Sequence, residues 1–363
     1  METLIVNVDY CGTCAGTCPT CVLSKDERLS QVPLISTNLI DDALCAISNE
    51  IFKSPKQIAL GLGRGNHLVM NENSISDITE VAISVLKHFH SAEYSFEIST
   101  SLVGKIDRQI DRAKLLINEI NSKTSGKVDV RFVVVANATL SSPKYWDNVK
   151  KFLNDLSLYR KTLNLKETGD IVQINLSLSE MPDPHFIAEK MGNHGSPLNI
   201  AWVPAFDEYA KHNDYLAKIG TWLTEFYLIS KEKKYDCNLI TWGERALRAK
   251  DFTMEDLKEH SEFSSKSLIY ISQDGQWHNG FPTILADFDP IRFDPESRNS
   301  SNNVIKDLSK MMKNPFCRSC DYLQSCIYSG GHKISLVVQR NKSLNNVCYN
   351  GLSDLFKEIE KNV

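Results

Sequence analysis

The chain has 363 residues, 42% of them hydrophobic, and a formal net charge of −4. That length buries more core than one domain of ordinary size holds, so a large domain with a smaller one appended is expected. The charge leaves no broad basic field for nucleic acid, and no run of about 18 apolar residues offers a membrane-spanning helix. Met1-Glu2-Thr3 leads straight into an apolar stretch, without the basic region and cleavage site of a secretory signal, so a cytoplasmic protein is expected.

Leu4–Asp9 (LIVNVD) reads as a buried strand. Thr37 or Asn38 caps a helix with Ile40, Leu44, Ile47 and Ile51 on one face. Gln57–Leu62 is a second strand, and Ile78, Val81, Ala82, Val85, Leu86 and Phe89 mark a second helix. Tyr94–Thr100 is a third strand, followed by a helix bearing Ile106, Ile110, Ala113, Leu116, Ile117 and Ile120. Val128–Val135 and the helix Tyr145–Leu156 form a fourth unit. Ile171–Leu178 is a fifth strand, and Leu198–Val203 a sixth, leading to a helix around Tyr209–Leu228. Such alternation implies parallel strands with right-handed crossovers. An open barrel and a doubly wound sheet both satisfy it, and in both, ligands gather at the C-terminal ends of the strands. After Lys231 the rhythm changes. Asp251–His260 reads as a short charged helix, Leu268–Ser272 with Gly275 and Gly280 as a hairpin, and Leu352–Lys361 as a closing helix. The prolines at 282, 290 and 295 mark a loop-rich stretch between them that needs a staple.

Ten cysteines are the outstanding feature of the composition. Disulfides are rare in a reducing cytosol, so spacing decides their role. Cys45 and Cys237 stand alone, and the other eight fall into two groups. The first, directly after the first strand, contains Cys11, Cys14, Cys18 and Cys21, of which the last three have the spacing C-x3-C-x2-C. Three thiolates hold three corners of a [4Fe–4S] cube and leave one iron without a protein ligand. An open iron can chelate the amino and carboxylate groups of S-adenosylmethionine (SAM) beside a low-potential reductant. Cys11 is then the spare thiol, because a fourth ligand would close the site. The competing reading is a pair of zinc knuckles, Cys11-x2-Cys14 and Cys18-x2-Cys21, although three intervening residues leave little room to fold back into a tetrahedron.

On the strand, the C-x3-C-x2-C loop and the repeated strand–helix units, residues 1–230 resemble the radical SAM superfamily. The resemblance implies an α/β fold with a partial (β/α)6 barrel, a SAM-binding [4Fe–4S] cluster on Cys14, Cys18 and Cys21, and cleavage of SAM to a 5′-deoxyadenosyl radical. One departure is Thr20, where the family often has an aromatic residue against the adenine. Gly61-Leu62-Gly63-Arg64-Gly65-Asn66 follows the second strand and is similar to the family's Gly-Gly-Glu-Pro-like turn, which receives the methionine ammonium. By that likeness Gly63, Gly65 and Asn66 are SAM-binding candidates, without the usual carboxylate. Ser99 and Ser101 end the third strand and Asn137 the fourth, where they could reach ribose or adenine or serve as turn residues. Glu97, Asn175 and Trp202 are further cavity-facing candidates that strand parity alone does not assign.

The second group is Cys317-x2-Cys320-x5-Cys326 with Cys348 following. Four thiolates close a [4Fe–4S] cluster completely, and they suit tetrahedral zinc as well. The segment CRSCDYLQSCIYSGGH resembles the SPASM and twitch extensions of radical SAM enzymes. A full SPASM domain carries seven cysteines and two clusters, so the resemblance implies a single auxiliary [4Fe–4S] cluster here, on Cys317, Cys320, Cys326 and Cys348. The expected organisation is a core over 1–230, a bridging region over 231–265 and a SPASM/twitch-like domain over 266–363. Asp274, His278 and His332 could serve proton transfer or lie on the surface.

The resemblance implies a peptide substrate, modified by cross-linking or oxidation, and an external electron donor of flavodoxin or ferredoxin type. As the sequence begins at its first strand, a separate leader-peptide recognition protein, or direct binding of a short peptide in the cleft, would have to serve. The alternatives are a radical SAM dehydrogenase for a small metabolite and a non-catalytic, zinc-stapled binding protein.

Overall fold

The computed structural model describes residues 3–10, 26, 29, 30, 33, 35–50, 55–63, 65–71, 73–91, 93–136, 141–166, 169–176, 181–191, 194–202, 213–279, 305, 308–331, 348 and 350–363. Strand and helix alternate as β1 (Thr3–Asp9), α1 (Thr37–Glu50), β2 (Gln57–Gly63), α2 (Asn73–His88), β3 (Glu93–Thr100), α3 (Ile106–Thr124), β4 (Val128–Ala136), α4 (Pro143–Thr162), β5 (Ile171–Leu176), α5 (Pro184–Met191) and β6 (Leu198–Trp202). Then come α6 (Asn213–Lys233), α7 (Asn238–Arg248), α8 (Met254–Ser267), β7 (Leu268–Ile271), β8 (Trp277–Asn279), α9 (Pro315–Arg318), α10 (Leu323–Tyr328) and α11 (Leu352–Asn362). The sheet order is β6-β5-β4-β3-β2-β1-β7-β8. The chain divides into two compact units, Met1–Gln173 with Lys266–Gly280, and Ile174–Ser265 with Phe281–Val363.

In the first unit, β1 pairs in parallel with β2, β2 with β3, and β3 with β4. The apolar runs that read as strands do so because alternate residues are sealed: Leu4, Val6 and Val8 have no exposed surface. Helix α3 shows the matching 3.6-residue period, burying Ile110, Ala113, Leu116, Ile117 and Ile120. Each of these isoleucine and leucine side chains contributes about 1.5–3 kcal/mol on burial. Helix α4 begins two residues before the expected Tyr145, because Ser142 caps it by accepting from the Tyr145 N–H and Pro143 takes the first turn.

A buried ion pair fixes the far end of α4. Arg160 donates to Asp170 through Nη1 (2.6 Å) and Nη2 (2.8 Å), and Nη2 also donates to the Val130 carbonyl at 3.0 Å. Asp170 Oδ1 accepts the Phe132 N–H at 2.9 Å. Every group in this clip has a partner, which is the condition under which buried charge is tolerated.

The expected hairpin forms from β7 and β8, with Gly275 at φ +78 in its turn. Its first strand pairs in parallel with β1, Ile5 to Leu268 through Val8 to Ile271. Division by compactness therefore assigns 266–280 to the first unit, away from the change of rhythm at Lys231.

The second unit is mainly helical. Its helix α6 covers Asn213–Lys233, five residues beyond the expected end, and residues 203–212 lie outside the described ones. Trp222 stacks on Phe226 (4.9 Å, 10°) and donates its indole N–H to the Pro182 carbonyl at 2.6 Å. Helix α11 buries Leu352, Leu355, Phe356 and Ile359. Its entry residue Gly351 (φ +70) lies against the backbone of Gly220 in α6, where a Cβ would meet the Gly220 nitrogen at 2.7 Å. Among the described residues, no helix is long and apolar enough to cross a membrane.

Candidate functional site

In the first unit the C-terminal ends of β1 to β4 lie at one edge, with Asp9 level with Gly63 and Thr100 level with Val134. Parallel α/β sheets bind ligands at this edge. The cysteines at 11, 14, 18 and 21 follow β1 in the sequence and lie outside the described residues.

Beyond β2 the chain turns through Gly65 at φ +69, a left-handed conformation that a glycine adopts without cost. It then forms a 3-10 turn, His67–Val69, with Asn66 as its N-cap. Asn66 has no exposed surface, and all four hydrogen-bond positions of its amide are spent inside the protein. Oδ1 accepts from Leu68 N–H (3.2 Å) and Thr100 Oγ1 (2.9 Å). Nδ2 donates to Ser101 Oγ and Gln109 Oε1, both at 3.1 Å. Gln109 is held in turn by donating Nε2 to the Val103 carbonyl at 3.0 Å. Arg112 of α3 donates to the carbonyls of Leu68 and Met70. The turn after β2 is thus braced from β3 and α3 together.

The structure brings Asn66 and Ser101 into contact and leaves Ser99 half-buried one residue before Thr100. Asn137 lies outside the described residues. Thr100 and Gln109 carry no motif of their own; a threonine at the end of β3 and a glutamine in the first turn of α3 were the available signal. His67 is 3% exposed, with Nε2 on the Leu62 carbonyl at 3.1 Å and its ring 5.8 Å from that of Tyr10. Burial lowers its pKa from 6.5 to about 4, against the pull of the Leu62 carbonyl. At neutral pH the ring is neutral, with the Nε2 proton donated to that carbonyl.

Glu97 of β3 is half-buried and sits in register between Gly61 of β2 and Arg131 of β4. Burial raises its pKa, and the Arg131 charge opposes the shift. Asn175 of β5 is buried, and nothing is described of the Trp202 side chain. Asp274 accepts from Ser272 Oγ and from the Gln276 N–H at 3.1 Å, which makes it a hairpin-turn residue. His278 belongs to β8 opposite Tyr270, and His332 lies outside the described residues.

In the second unit Cys317, Cys320, Cys326 and Cys348 line one pocket. Met311, Phe316, Leu323, Leu352 and Phe356 supply its apolar wall. Helix α9 places Cys317, α10 places Cys326, and Cys348 lies just before α11. All four thiols are free. Burial pushes Cys317 up to about 12, with the charges of Cys348 and Cys320 adding to it. Burial likewise raises Cys320, and it raises Cys326 well above the ordinary thiol value. Thiols that oppose each other's ionisation are the donor set a cationic group would deprotonate and bind. Among the described residues no three His, Cys, Asp or Glu side chains close on a point suited to one metal ion. The four thiols line the same pocket, and two buried amides point at them: Asn314 Nδ2 lies 3.4 Å from Cys317 Sγ and Asn350 Nδ2 lies 3.1 Å from Cys326 Sγ. Pocket, donor set and amides fit an iron–sulfur cluster. Cys237 is buried at the start of α7 and raised to about 11 by that burial, and Cys45 is partly exposed on α1.

No family model matches the chain, and no curated protein does. Solved structures do. Native anSMEcpe with bound AdoMet superposes with a TM-score of 0.56 at 11% identity, over 99% of this chain and 98% of that one. A hexahistidine-tagged form of anSMEcpe with bound AdoMet gives 0.53 at 10% identity, over 99% and 98%. Native anSMEcpe with bound AdoMet and Kp18Cys peptide gives 0.52 at 11%, over 99% and 97%. At these identities the likeness establishes the fold, which is the α/β fold that the radical SAM resemblance implied.

Proposed function

We propose that the chain is a radical SAM enzyme that acts on a peptide. The observation that carries this reading is a coincidence of sequence and fold. Three cysteines at C-x3-C-x2-C spacing follow the first strand of a fold shared with an AdoMet-bound protein, and four further cysteines line one pocket. The peptide is favoured because one structural neighbour holds both AdoMet and a peptide over the same near-complete coverage.

In this reading Cys14, Cys18 and Cys21 hold a SAM-binding [4Fe–4S] cluster, and Cys317, Cys320, Cys326 and Cys348 hold one auxiliary [4Fe–4S] cluster. When bound, the first with SAM supplies a 5′-deoxyadenosyl radical and the second an electron acceptor or relay. The chain's own residues bind and orient. The backbone of the Gly63–Gly65 turn receives the methionine end of SAM, with Asn66 and Ser101 holding that turn in place. Ser99 and Asn137 are the contacts for ribose or adenine. A flavodoxin or ferredoxin supplies electrons from outside. The site is expected to work in the cytoplasm, where its thiols stay reduced.

The test is anaerobic reconstitution followed by incubation with SAM and reductant. On the order of eight irons per chain and release of 5′-deoxyadenosine are expected. Loss of that release is expected when Cys14, Cys18 or Cys21 is changed to Ala. A colourless, zinc-loaded chain that leaves SAM intact would refute the proposal.

A further inference from the structure

We propose that Asn314 and Asn350 are positioning residues that donate amide hydrogen bonds to the sulfurs of the auxiliary cluster and raise its reduction potential. The inference rests on the proposed auxiliary cluster and assigns two residues that its ligand set does not contain.

The two asparagines use one device. Each is almost wholly buried, Asn314 at 2% and Asn350 at 1% exposure. Each spends its Oδ1 on the backbone N–H two residues ahead. Asn314 accepts from Phe316 at 3.0 Å and Asn350 from Leu352 at 2.9 Å. This local ring is the Asx turn that asparagine and aspartate favour. A backbone N–H only donates, so the oxygen must face it, and the orientation of both amides follows from the network. Asn350 is pinned from its other end as well, since Nδ2 donates to the Gly331 carbonyl at 2.8 Å. With the oxygen fixed, the nitrogen has one direction left. In Asn314 it faces Cys317 Sγ at 3.4 Å, and in Asn350 it faces Cys326 Sγ at 3.1 Å.

Two independent segments therefore carry the same arrangement. Asn314 stands three residues before the first thiol, and Asn350 two residues after the last. The turn alone needs only an acceptor, which Asp or Ser would supply. Asparagine adds a donor at the sulfur, and among the capping side chains it alone offers both ends at this reach. The Cys348 thiol donates to Asn350 Oδ1 at 3.0 Å. Ligation removes that proton, and the oxygen keeps the Leu352 N–H.

The sign follows from charge. Reduction adds negative charge to a cluster's sulfurs, and an N–H donor stabilises that form more than the oxidised one. Hydrogen bonds to the sulfurs are an established control on cluster potential. Removing either donor should lower the potential.

The experiment uses the full chain carrying Cys14→Ala, Cys18→Ala and Cys21→Ala, so that only the auxiliary site contributes to the signal. The readouts are iron content and the midpoint potential from an EPR-monitored redox titration. About four irons per chain are expected in this background; a background without iron would sink the auxiliary cluster itself. Asn350→Asp and Asn314→Asp keep the turn and remove the donor; Asn350→Leu and Asn314→Leu remove the donor without adding charge. A downward shift in both members of a pair, with iron retained, supports the assignment. An unchanged potential in the Leu variants would overturn it, because a shift in Asp alone reports charge and not a lost donor. Loss of iron in all four would also overturn it and make the asparagines folding residues. If the variants at one position fail to load, the pair at the other decides.

Discussion

Replacing Asn66 with Ala tests the brace behind the turn after β2. The substitution removes four hydrogen bonds at a position with no exposed surface. Two of the partners recover part of the loss, since Thr100 Oγ1 still donates to Gln109 Oε1 at 3.2 Å. Ser101 is half-buried and reaches water. The Leu68 N–H does not: Leu68 is 0% exposed, and its donor is stranded. The lost N-cap bond is this same Leu68 contact, so its cost is that of the stranded donor, about 2 kcal/mol. That corresponds to roughly 4–8 °C in the melting temperature of a unit this size. Calorimetry on the purified chain reads it directly. Asn66→Asp sharpens the test. It retains the acceptor for Leu68 and Thr100 but presents a carboxylate oxygen to Gln109 Oε1, which cannot turn away while Nε2 is held by Val103. Both variants should lose stability, and both should slow 5′-deoxyadenosine release by displacing the turn. A fall of less than about 2 °C for Asn66→Ala would show that the amide is not the brace described, since that is under 1 kcal/mol.

Three further outcomes are expected. Arg160→Leu should destabilise the first unit by about 3–5 kcal/mol, because Asp170 is left buried and unpaired; a double change of Arg160→Leu with Asp170→Leu that costs as much as the single one would refute the role of stranded charge. His67 gives a pH dependence. Its folded pKa of about 4 lies below the ordinary 6.5, so the unfolded chain binds the proton first as pH falls. The stability it contributes is whole above about pH 6.5 and drains away towards pH 4, by about 3 kcal/mol. His67→Phe should flatten that decline in denaturant midpoint between about pH 7.5 and 4.5, and parallel slopes would contradict the burial argument. Cys320→Ala should halve the iron content while sparing 5′-deoxyadenosine release better than product formation; unchanged iron would remove Cys320 from the ligand set.

The alternation of strand and helix was legible because each central strand seals its apolar run and each helix keeps a 3.6-residue stripe, as α3 does with Ile110 through Ile120. The second cysteine group was legible as a group because Cys317, Cys320 and Cys326 lie close in sequence, and the structure puts all three with Cys348 on one pocket. What stayed hidden depends on residues that meet only in three dimensions. The brace on Asn66 needs Thr100 from β3 and Gln109 from α3. The amides of Asn314 and Asn350 look like ordinary turn residues until the thiols beside them are seen. Helix α4 reaches to Thr162 because Arg160 finds Asp170 across a loop, a partner that its polar last turn does not announce. The hairpin at 268–279 was legible as a hairpin, but nothing local names β1 as its neighbour.

That neighbour has a consequence for how the molecule is made. Strand β1 precedes β2 in the chain, and its pairing with β2 needs only the residues up to Gly63. Its other flank waits for Leu268–Ile271. Until then a row of unsatisfied amides and carbonyls stays open on a strand whose Ile5 is still 38% exposed in the finished fold. Open strand edges recruit other chains, and pairings this distant in sequence form late. The nascent chain therefore carries an adhesive edge from Gly63 until Leu268–Ile271 are made, and expression at low temperature or with a chaperone that shields extended segments should raise the soluble yield.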